Sequence, residues 1–177
     1  MGKFLFPDEY YDSTYSINFK KYYNLGYRAV LFDIDNTLVP HDFPSDERAV
    51  SLIRRMKKVG LKICVISNND EERVKSFADS LGIEYVYKAA KPLAKGYLEG
   101  MSRMGTDTSN TLFVGDQLFT DIWGANNAKI HSILVKPIDK HEEIQIILKR
   151  RLESPLIKLY LRRHPLLSKN ESRHSKN

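Results

Sequence analysis

Short apolar runs alternate along the chain with stretches in which apolar residues recur every three or four positions. Five runs predict buried strands, because a strand covered on both faces needs a nearly unbroken series of apolar side chains. These runs cover residues 29–32, 61–66, 83–87, 111–114 and 131–135. The stretches between them predict helices, and the last helix is expected over residues 142–152. Strands that alternate with helices predict an α/β fold with a doubly wound, parallel, five-stranded sheet.

Polar side chains follow the first four predicted strands at the point where each strand ends. They are Asp33, Asp35 and Thr37 after the first strand, Ser67 and Asn68 after the second, Lys91 after the third, and Asp116 and Asp121 after the fourth. Because the carboxyl ends of parallel strands meet at one edge of a sheet, we expect these groups to share one crevice. Two carboxylates as close as Asp33 and Asp35 repel unless a cation lies between them. Oxygen ligands of this kind suit a hard divalent ion, and Mg²⁺ is the usual one beside phosphate.

Each of these residues also has an ordinary interpretation. A calcium loop that starts at Asp33 is excluded, because Leu38 stands where the loop needs glycine and Pro44 where it needs glutamate. Taken alone, Ser67 reads as a helix cap, Asp121 as another cap, and Lys91 as a surface lysine. The functional interpretation therefore depends on the whole ordered set, which chance rarely places after successive strands.

The ordered set resembles the four motifs of the haloacid dehalogenase (HAD) superfamily of phosphotransferases. The resemblance implies that Asp33 is the nucleophile that forms an aspartyl-phosphate, and that Asp35 is the acid and base. It also implies that Ser67 and Asn68 bind the transferring phosphoryl group. Lys91, with Lys95 one turn later as the fallback, would balance the negative charge. The implied Mg²⁺ site consists of Asp33, Asp35, Asp116 and Asp121, with Asp121 holding either the metal shell or a bound water.

Many enzymes of this superfamily carry a cap domain, inserted either after the first motif or between the second and third. Here one loop and one helix use up the interval from Asp33 to Ser67, and a helix and a strand use up that from Ser67 to Lys91. The sequence therefore predicts a HAD-like Rossmannoid fold with no cap domain. An open site favours a large substrate, or one whose own surface excludes water.

Composition sets the limits within which this interpretation must fit. A chain of 177 residues, 28% charged and 42% hydrophobic, is typical of one globular domain. No run of about 18 apolar residues is present, and the start of the chain lacks the apolar region of a signal peptide. The single cysteine, Cys64, falls in a predicted buried strand, which favours a reducing compartment. We therefore expect a cytoplasmic protein without a transmembrane segment.

The two ends of the chain differ from the middle. Residues 1–27 are rich in Phe and Tyr, and we expect them to pack on a core domain that covers residues 28–152. Residues 149–177 contain nine Lys and Arg against two Glu, a net charge of +7, whereas the rest of the chain has 19 basic and 20 acidic residues. We expect residues 153–177 to form a basic tail whose last part is disordered. Such a tail suits an anionic partner.

The segments 7–10, 33–40 and 115–121 together resemble the YqeG family of class IIIA HAD proteins, which is related to the phosphatidylglycerophosphate phosphatases. The resemblance implies removal of the terminal phosphate of phosphatidylglycerophosphate at a membrane surface. Leucines among the cations of residues 148–167 suit peripheral contact with an anionic membrane, although this segment can equally pack on the domain. Two alternatives stay open. One is a soluble phosphatase for nucleotides, sugar phosphates or phosphoproteins. The other, less favoured, is a non-catalytic module that binds RNA through its basic tail.

Overall fold

The computed structural model describes residues 4–139 and 152–163 in full, together with the backbone of residues 144–151. Its centre is a sheet of six parallel strands in the order β1-β6-β5-β2-β3-β4. The strands are β1 (Glu9–Tyr11), β2 (Ala29–Phe32), β3 (Lys62–Ile66), β4 (Glu84–Val86), β5 (Thr111–Gly115) and β6 (His131–Val135). The predicted doubly wound parallel sheet is confirmed. β2, whose four residues are all buried, lies near its middle.

The sheet has six strands because the aromatic N-terminal segment adds one that the sequence analysis missed. β1 pairs in parallel with β6, with Glu9 opposite Ile133 and Tyr11 opposite Val135. Only three residues long, and with only its middle residue Tyr10 buried, β1 lacks the apolar run by which the other strands were predicted. The predicted number of five is therefore wrong by one short edge strand.

Helices cover both faces of the sheet. They are α1 (Phe19–Asn24), α2 (Glu47–Val59), α3 (Glu71–Leu81), α4 (Ala94–Met104), α5 (Trp123–Asn127) and α6 (Ile144–Arg163). On β2, Val30 and Phe32 face the core layer that α1, α2 and α3 complete, whereas Ala29 and Leu31 face the layer completed by α4 and α5. This alternation follows the two-residue period of a strand. Asp46 caps α2, since its side chain accepts the Ala49 N–H at 2.8 Å.

Neither interval that could hold a cap domain contains one. β2 is joined to β3 by a loop and α2, and β3 to β4 by α3, all within the described residues. No inserted domain therefore covers the carboxyl ends of β2, β3 and β5, where the polar residues lie.

The last helix is longer than predicted. α6 continues past the expected end at residue 152 and through Pro155 to Arg163. Glu153 and Tyr160, two turns apart, are both buried, so packing on the domain stabilises the helix despite the backbone N–H that proline lacks. Of the predicted basic tail, residues 153–163 belong to α6, and the last part, predicted to be disordered, falls on residues 164–177, which lie outside the described residues. Within the described residues, no helix has the length and apolarity needed to cross a bilayer.

Candidate active site

The loop after β2 places the first two acidic residues. The Asp33 N–H donates to the Val114 carbonyl at 3.0 Å, which continues the pairing of β2 with β5. The chain then turns tightly at Asn36, whose φ of 63° lies in the left-handed region that asparagine tolerates. Thr37, beyond the turn, donates its hydroxyl to Asp116 Oδ1 at 3.2 Å. The sequence 33–37 thus links the ends of two neighbouring strands at one buried point.

Lys91 lies between two carboxylates at the centre of the crevice. Its ammonium nitrogen is 2.5 Å from Asp33 Oδ1 and 2.7 Å from Asp121 Oδ1. The Lys91 side chain is only 4% exposed. The exposed Lys95, which was the fallback, has no ion pair with these carboxylates. Of the two lysines, the structure therefore brings Lys91 to the predicted site.

Asp121 is oriented by backbone amides on its other side. Its Oδ2 accepts the N–H groups of Asp116 and Gln117 at 3.1 and 3.0 Å. A Cβ atom at Gly115 would lie 2.6 Å from this same oxygen, so only glycine leaves room for the carboxylate. Both oxygens of Asp121 are thus engaged by protein donors, which makes Asp121 a support for Lys91 and for the turn that carries Asp116.

Ser67 and Asn68 lie at the end of β3 as predicted, but their side chains have different surroundings. The Ser67 hydroxyl is buried beside the crevice and accepts the Asn69 N–H at 3.2 Å. The Asn68 amide holds the backbone of Lys91, since its Oδ1 accepts the Lys91 N–H at 2.8 Å and its Nδ2 donates to the Lys91 carbonyl at 3.2 Å. Asn68 therefore positions Lys91, and its contact with a phosphoryl group stays a prediction.

Asp35 lies at the rim of the crevice, with its side chain 15% exposed. Its Oδ2 accepts a hydrogen bond from the Asn69 amide at 2.7 Å, and its Oδ1 accepts one from Arg73 at 2.9 Å. The same Arg73 nitrogen also donates to the Phe43 carbonyl at 2.8 Å. Sequence reasoning missed both Asn69 and Arg73. Their positions could have indicated a role in the site, since Asn69 follows Asn68 directly and Arg73 lies in the first turn of α3.

Three of the four predicted metal ligands converge. Carboxylate oxygens of Asp33, Asp116 and Asp121 lie within 4.8 Å of one another, and all three residues are buried, whereas the Asp35 side chain is directed to Asn69 and Arg73. Three carboxylates and the Lys91 ammonium sum to a formal charge of −2. Buried charge of this size is normally paired or coordinated to a cation. The oxygen donors and the residual charge fit a divalent metal ion.

The same cluster perturbs the titration of its members. Burial raises the pKa of Asp33 well above its usual value, and repulsion from Asp121 and Asp116 adds to this, although Lys91 opposes both effects. Burial acts to lower the pKa of Lys91, but the carboxylates of Asp121 and Asp33 outweigh it and raise that pKa well above the usual value. Lys91 is therefore a permanent cation beside Asp33.

Comparison with known proteins identifies the family of this chain. The family of haloacid dehalogenase-like hydrolases matches residues 40–129. The probable phosphatase YqeG of Bacillus subtilis (strain 168) is 34% identical over 158 residues, which are 89% of this chain and 92% of that protein. The chloroplastic/mitochondrial phosphatidylglycerophosphate phosphatase 1 of Arabidopsis thaliana is 32% identical over 149 residues, covering 78% of this chain but only 43% of that protein.

A solved HAD phosphatase from Thermococcus onnurineus superposes with a TM-score of 0.55 over 66% of this chain and 90% of that one. Its sequence identity is 13%, so this likeness concerns the fold alone. The family match over half of the chain and the YqeG relative over most of it carry more weight. The predicted resemblance is confirmed, and this chain belongs to the haloacid dehalogenase-like hydrolases as a phosphatase of the YqeG type.

Proposed function

We propose that the chain is a Mg²⁺-dependent phosphomonoester hydrolase that works through an aspartyl-phosphate on Asp33. The observation that carries the proposal is the buried row Asp33–Lys91–Asp121, with Asp116 beside it. A nucleophilic carboxylate can approach a phosphate dianion only where the negative charge is neutralised. Lys91 supplies one positive charge, and Mg²⁺ held by Asp33 and Asp116 would supply two more when bound.

The residues divide the reaction into two steps. One Asp33 oxygen attacks phosphorus while the bond from phosphorus to the ester oxygen breaks, and Asp35 gives its proton to the departing alkoxide. Asp35 then takes a proton from water, whose oxygen attacks the aspartyl-phosphate and releases inorganic phosphate and free Asp33. Lys91, Ser67 and the backbone amides after β3 hold the phosphoryl oxygens during both steps.

The substrate we propose is phosphatidylglycerophosphate at a membrane surface. The lack of an inserted domain between β2 and β4 supports it, because the membrane itself can then cover the site and exclude water. Large apolar side chains lie exposed on two loops at this edge of the sheet, namely Phe43 after β2 (58%) and Leu93 after β4 (62%). The related Arabidopsis protein is named for this activity. Exposed aromatic and aliphatic groups around a polar cleft suit an amphiphilic substrate.

The outer side of α6 supports peripheral contact with an anionic membrane, which we place at the cytoplasmic face. Leu152 and Leu159 are 67% and 39% exposed, among the exposed cations Lys158, Arg162 and Arg163. Basic side chains near an anionic surface each contribute about 1 kcal/mol of attraction. The combination of leucines and cations therefore favours a lipid surface as the partner.

The test is Mg²⁺-dependent phosphate release from phosphatidylglycerophosphate in mixed micelles, measured beside p-nitrophenyl phosphate. Asp33→Asn should abolish release from both substrates without changing the circular dichroism spectrum. The double variant Phe43→Ser/Leu93→Ser should lower the ratio of lipid to soluble activity. Leu25→Ser is the matched control, because Leu25 is 65% exposed but precedes the amino end of β2, at the opposite edge of the sheet.

Each outcome decides between named possibilities. Activity that survives Asp33→Asn refutes the nucleophile assignment. Equal activity on both substrates, insensitive to Phe43 and Leu93, refutes the lipid substrate and leaves a soluble phosphatase. An equal loss in the Leu25 variant would assign the effect to general surface apolarity instead of the mouth of the site.

A further inference from the structure

The C-terminal helix α6 contacts the segment between Asp116 and Asp121, two of the three buried acidic residues of the candidate site. α6 begins at Ile144, beyond residues 40–129, where the family match ends. Its residue Glu153 is 1% exposed, and its Oε1 accepts the Phe119 N–H at 3.2 Å. Phe119 lies between Asp116 and Asp121. A helix beyond the matched residues therefore places a buried carboxylate against the backbone of the candidate active site.

The Phe119 N–H needs an acceptor from elsewhere. Residues Leu118–Ile122 form a helical turn, and the first N–H groups of any helix lack partners within it. Gln117, in the N-cap position, makes no side-chain capping hydrogen bond. The Asp121 carboxylate accepts the N–H groups before the turn, at positions 116 and 117. Asp121 thus accepts the N–H groups of residues 116 and 117, and Glu153 accepts the N–H of Phe119, nearer the middle of the segment.

Apolar contacts place the turn against α6 as well. Leu118 and Ile122 form a buried cluster with Tyr160 of α6 and with Tyr10 and Leu134 of the outer strands. An apolar side chain at position 153 would bury equally well here, and burying a carboxylate costs free energy unless its hydrogen bonds compensate. The glutamate at this position therefore indicates that its hydrogen bond to the turn serves the function of the site as well as the packing of α6.

We propose that Glu153 is a positioning residue for the phosphatase reaction. By holding the Phe119 N–H it fixes the turn, and the turn fixes the Asp121 carboxylate that orients Lys91 toward Asp33. Three hydrogen bonds connect Glu153 with Asp33. The Phe119 N–H donates to Glu153, and the Lys91 ammonium donates to Asp121 at 2.7 Å and to Asp33 at 2.5 Å. The inference rests on the roles proposed above for Asp33 and Lys91.

The test compares Glu153 variants of the full chain on p-nitrophenyl phosphate, so that it does not depend on a lipid substrate. Glu153→Ala should lower kcat by about 10- to 100-fold, the usual effect of losing an outer-shell support. KM should change less than twofold, because the reacting groups move while the rest of the substrate contacts stay. Glu153→Gln keeps an acceptor oxygen and should keep most of the activity. Glu153→Asp withdraws the carboxylate and should behave like Glu153→Ala.

The control for mere docking of α6 is Leu161→Ala, which removes a partly buried side chain two turns away. It should lower the melting temperature while leaving kcat unchanged. Hydrogen exchange gives a second readout, since the Phe119 amide should lose protection in Glu153→Ala and Glu153→Asp but keep it in Glu153→Gln.

Three results would overturn the inference. The first is that Glu153→Ala has the kcat of wild type. The second is that Leu161→Ala, at the same loss of melting temperature, loses as much kcat as Glu153→Ala. The third is that Glu153→Gln is as inactive as Glu153→Ala. If Glu153→Ala does not fold, the Gln and Asp pair decides the question alone. Asp33→Asn, measured in parallel, reports separately on the proposed mechanism.

Discussion

Replacing Lys91 with methionine tests the charge arrangement of the site most directly. The change keeps the aliphatic volume of the side chain but leaves Asp33, Asp116 and Asp121 with a formal charge of −3 instead of −2. Two buried ion pairs are lost, and the Lys91 and Asp121 side chains are only 4% and 1% exposed, so solvent screens them little. Removing one partner of a buried pair costs about 3–5 kcal/mol.

For a chain of this size, each kcal/mol shifts the melting temperature by about 2–4 °C, so we expect Lys91→Met to melt about 6–20 °C below wild type in EDTA. Asp33 can take up a proton to relieve the repulsion. Because its pKa is raised in the folded state, this relief is complete at low pH and is lost as the pH rises through that pKa. The loss of stability should therefore grow as the pH rises from the usual aspartate pKa of 3.8 toward the raised pKa of Asp33.

Adding Mg²⁺ should stabilise Lys91→Met more than it stabilises wild type, because the cation binds a cluster with one more negative charge. The assay is thermal unfolding by circular dichroism, in EDTA and in MgCl₂, with phosphatase activity measured alongside. Lys95→Met is the matched control, since Lys95 is exposed and only four residues away, and surface substitutions usually change stability by less than about 0.5 kcal/mol. Equal melting temperatures for the two variants in EDTA would refute the proposed charge balance.

Two further predictions concern other carboxylates. Asp116→Asn should raise the Mg²⁺ concentration for half-maximal activity at least about tenfold, since even outer-shell changes at metal sites cost this much, and an unchanged Mg²⁺ titration would remove Asp116 from the metal site. At Glu9, burial acts to raise the pKa, but hydrogen bonds from His131 and Tyr22 outweigh it and hold that pKa below its usual value of 4.5. Wild type should therefore exceed Glu9→Gln in stability above about pH 4.5, and this advantage should shrink as the pH falls through the lowered pKa, which urea unfolding between pH 3 and pH 7 would measure.

The central part of the site could be predicted from the sequence because the topology of the sheet largely determines where its residues lie. Asp33, Lys91 and Asp116 each follow a strand, and parallel pairing of β2 with β5 brings the two aspartates together whatever the details of packing. The edge strand β1 was not predictable in the same way. It is three residues long with one buried residue, and its contacts with β6, such as Glu9 with His131 at 2.9 Å, join segments distant in sequence that local patterns do not encode.

Supporting residues were missed for a related reason. Arg73 reads as one of several charged residues at the start of a surface helix, and only the folded chain places it on Asp35 at 2.9 Å. Glu153 reads as a solvated glutamate in a basic segment, yet it is 1% exposed. A helix pattern specifies which face is apolar but not which neighbouring element receives it. The position of α6 over the turn at 118–122, and hence the role proposed for Glu153, follows from packing between segments distant in sequence.

The contacts around Lys91 also explain why a single motif indicated a phosphatase site only weakly, whereas the four motifs together indicated it strongly. Asn68 holds the Lys91 backbone, Asp121 and Asp33 hold its ammonium, and backbone amides hold Asp121. Asn68, Asp33 and Asp121 follow three different strands and all contact Lys91, so each of these contacts depends on the position of the same lysine. Such mutual dependence implies strongly non-additive effects, and a double variant at positions 91 and 121 should lose less stability than the sum of the two single variants.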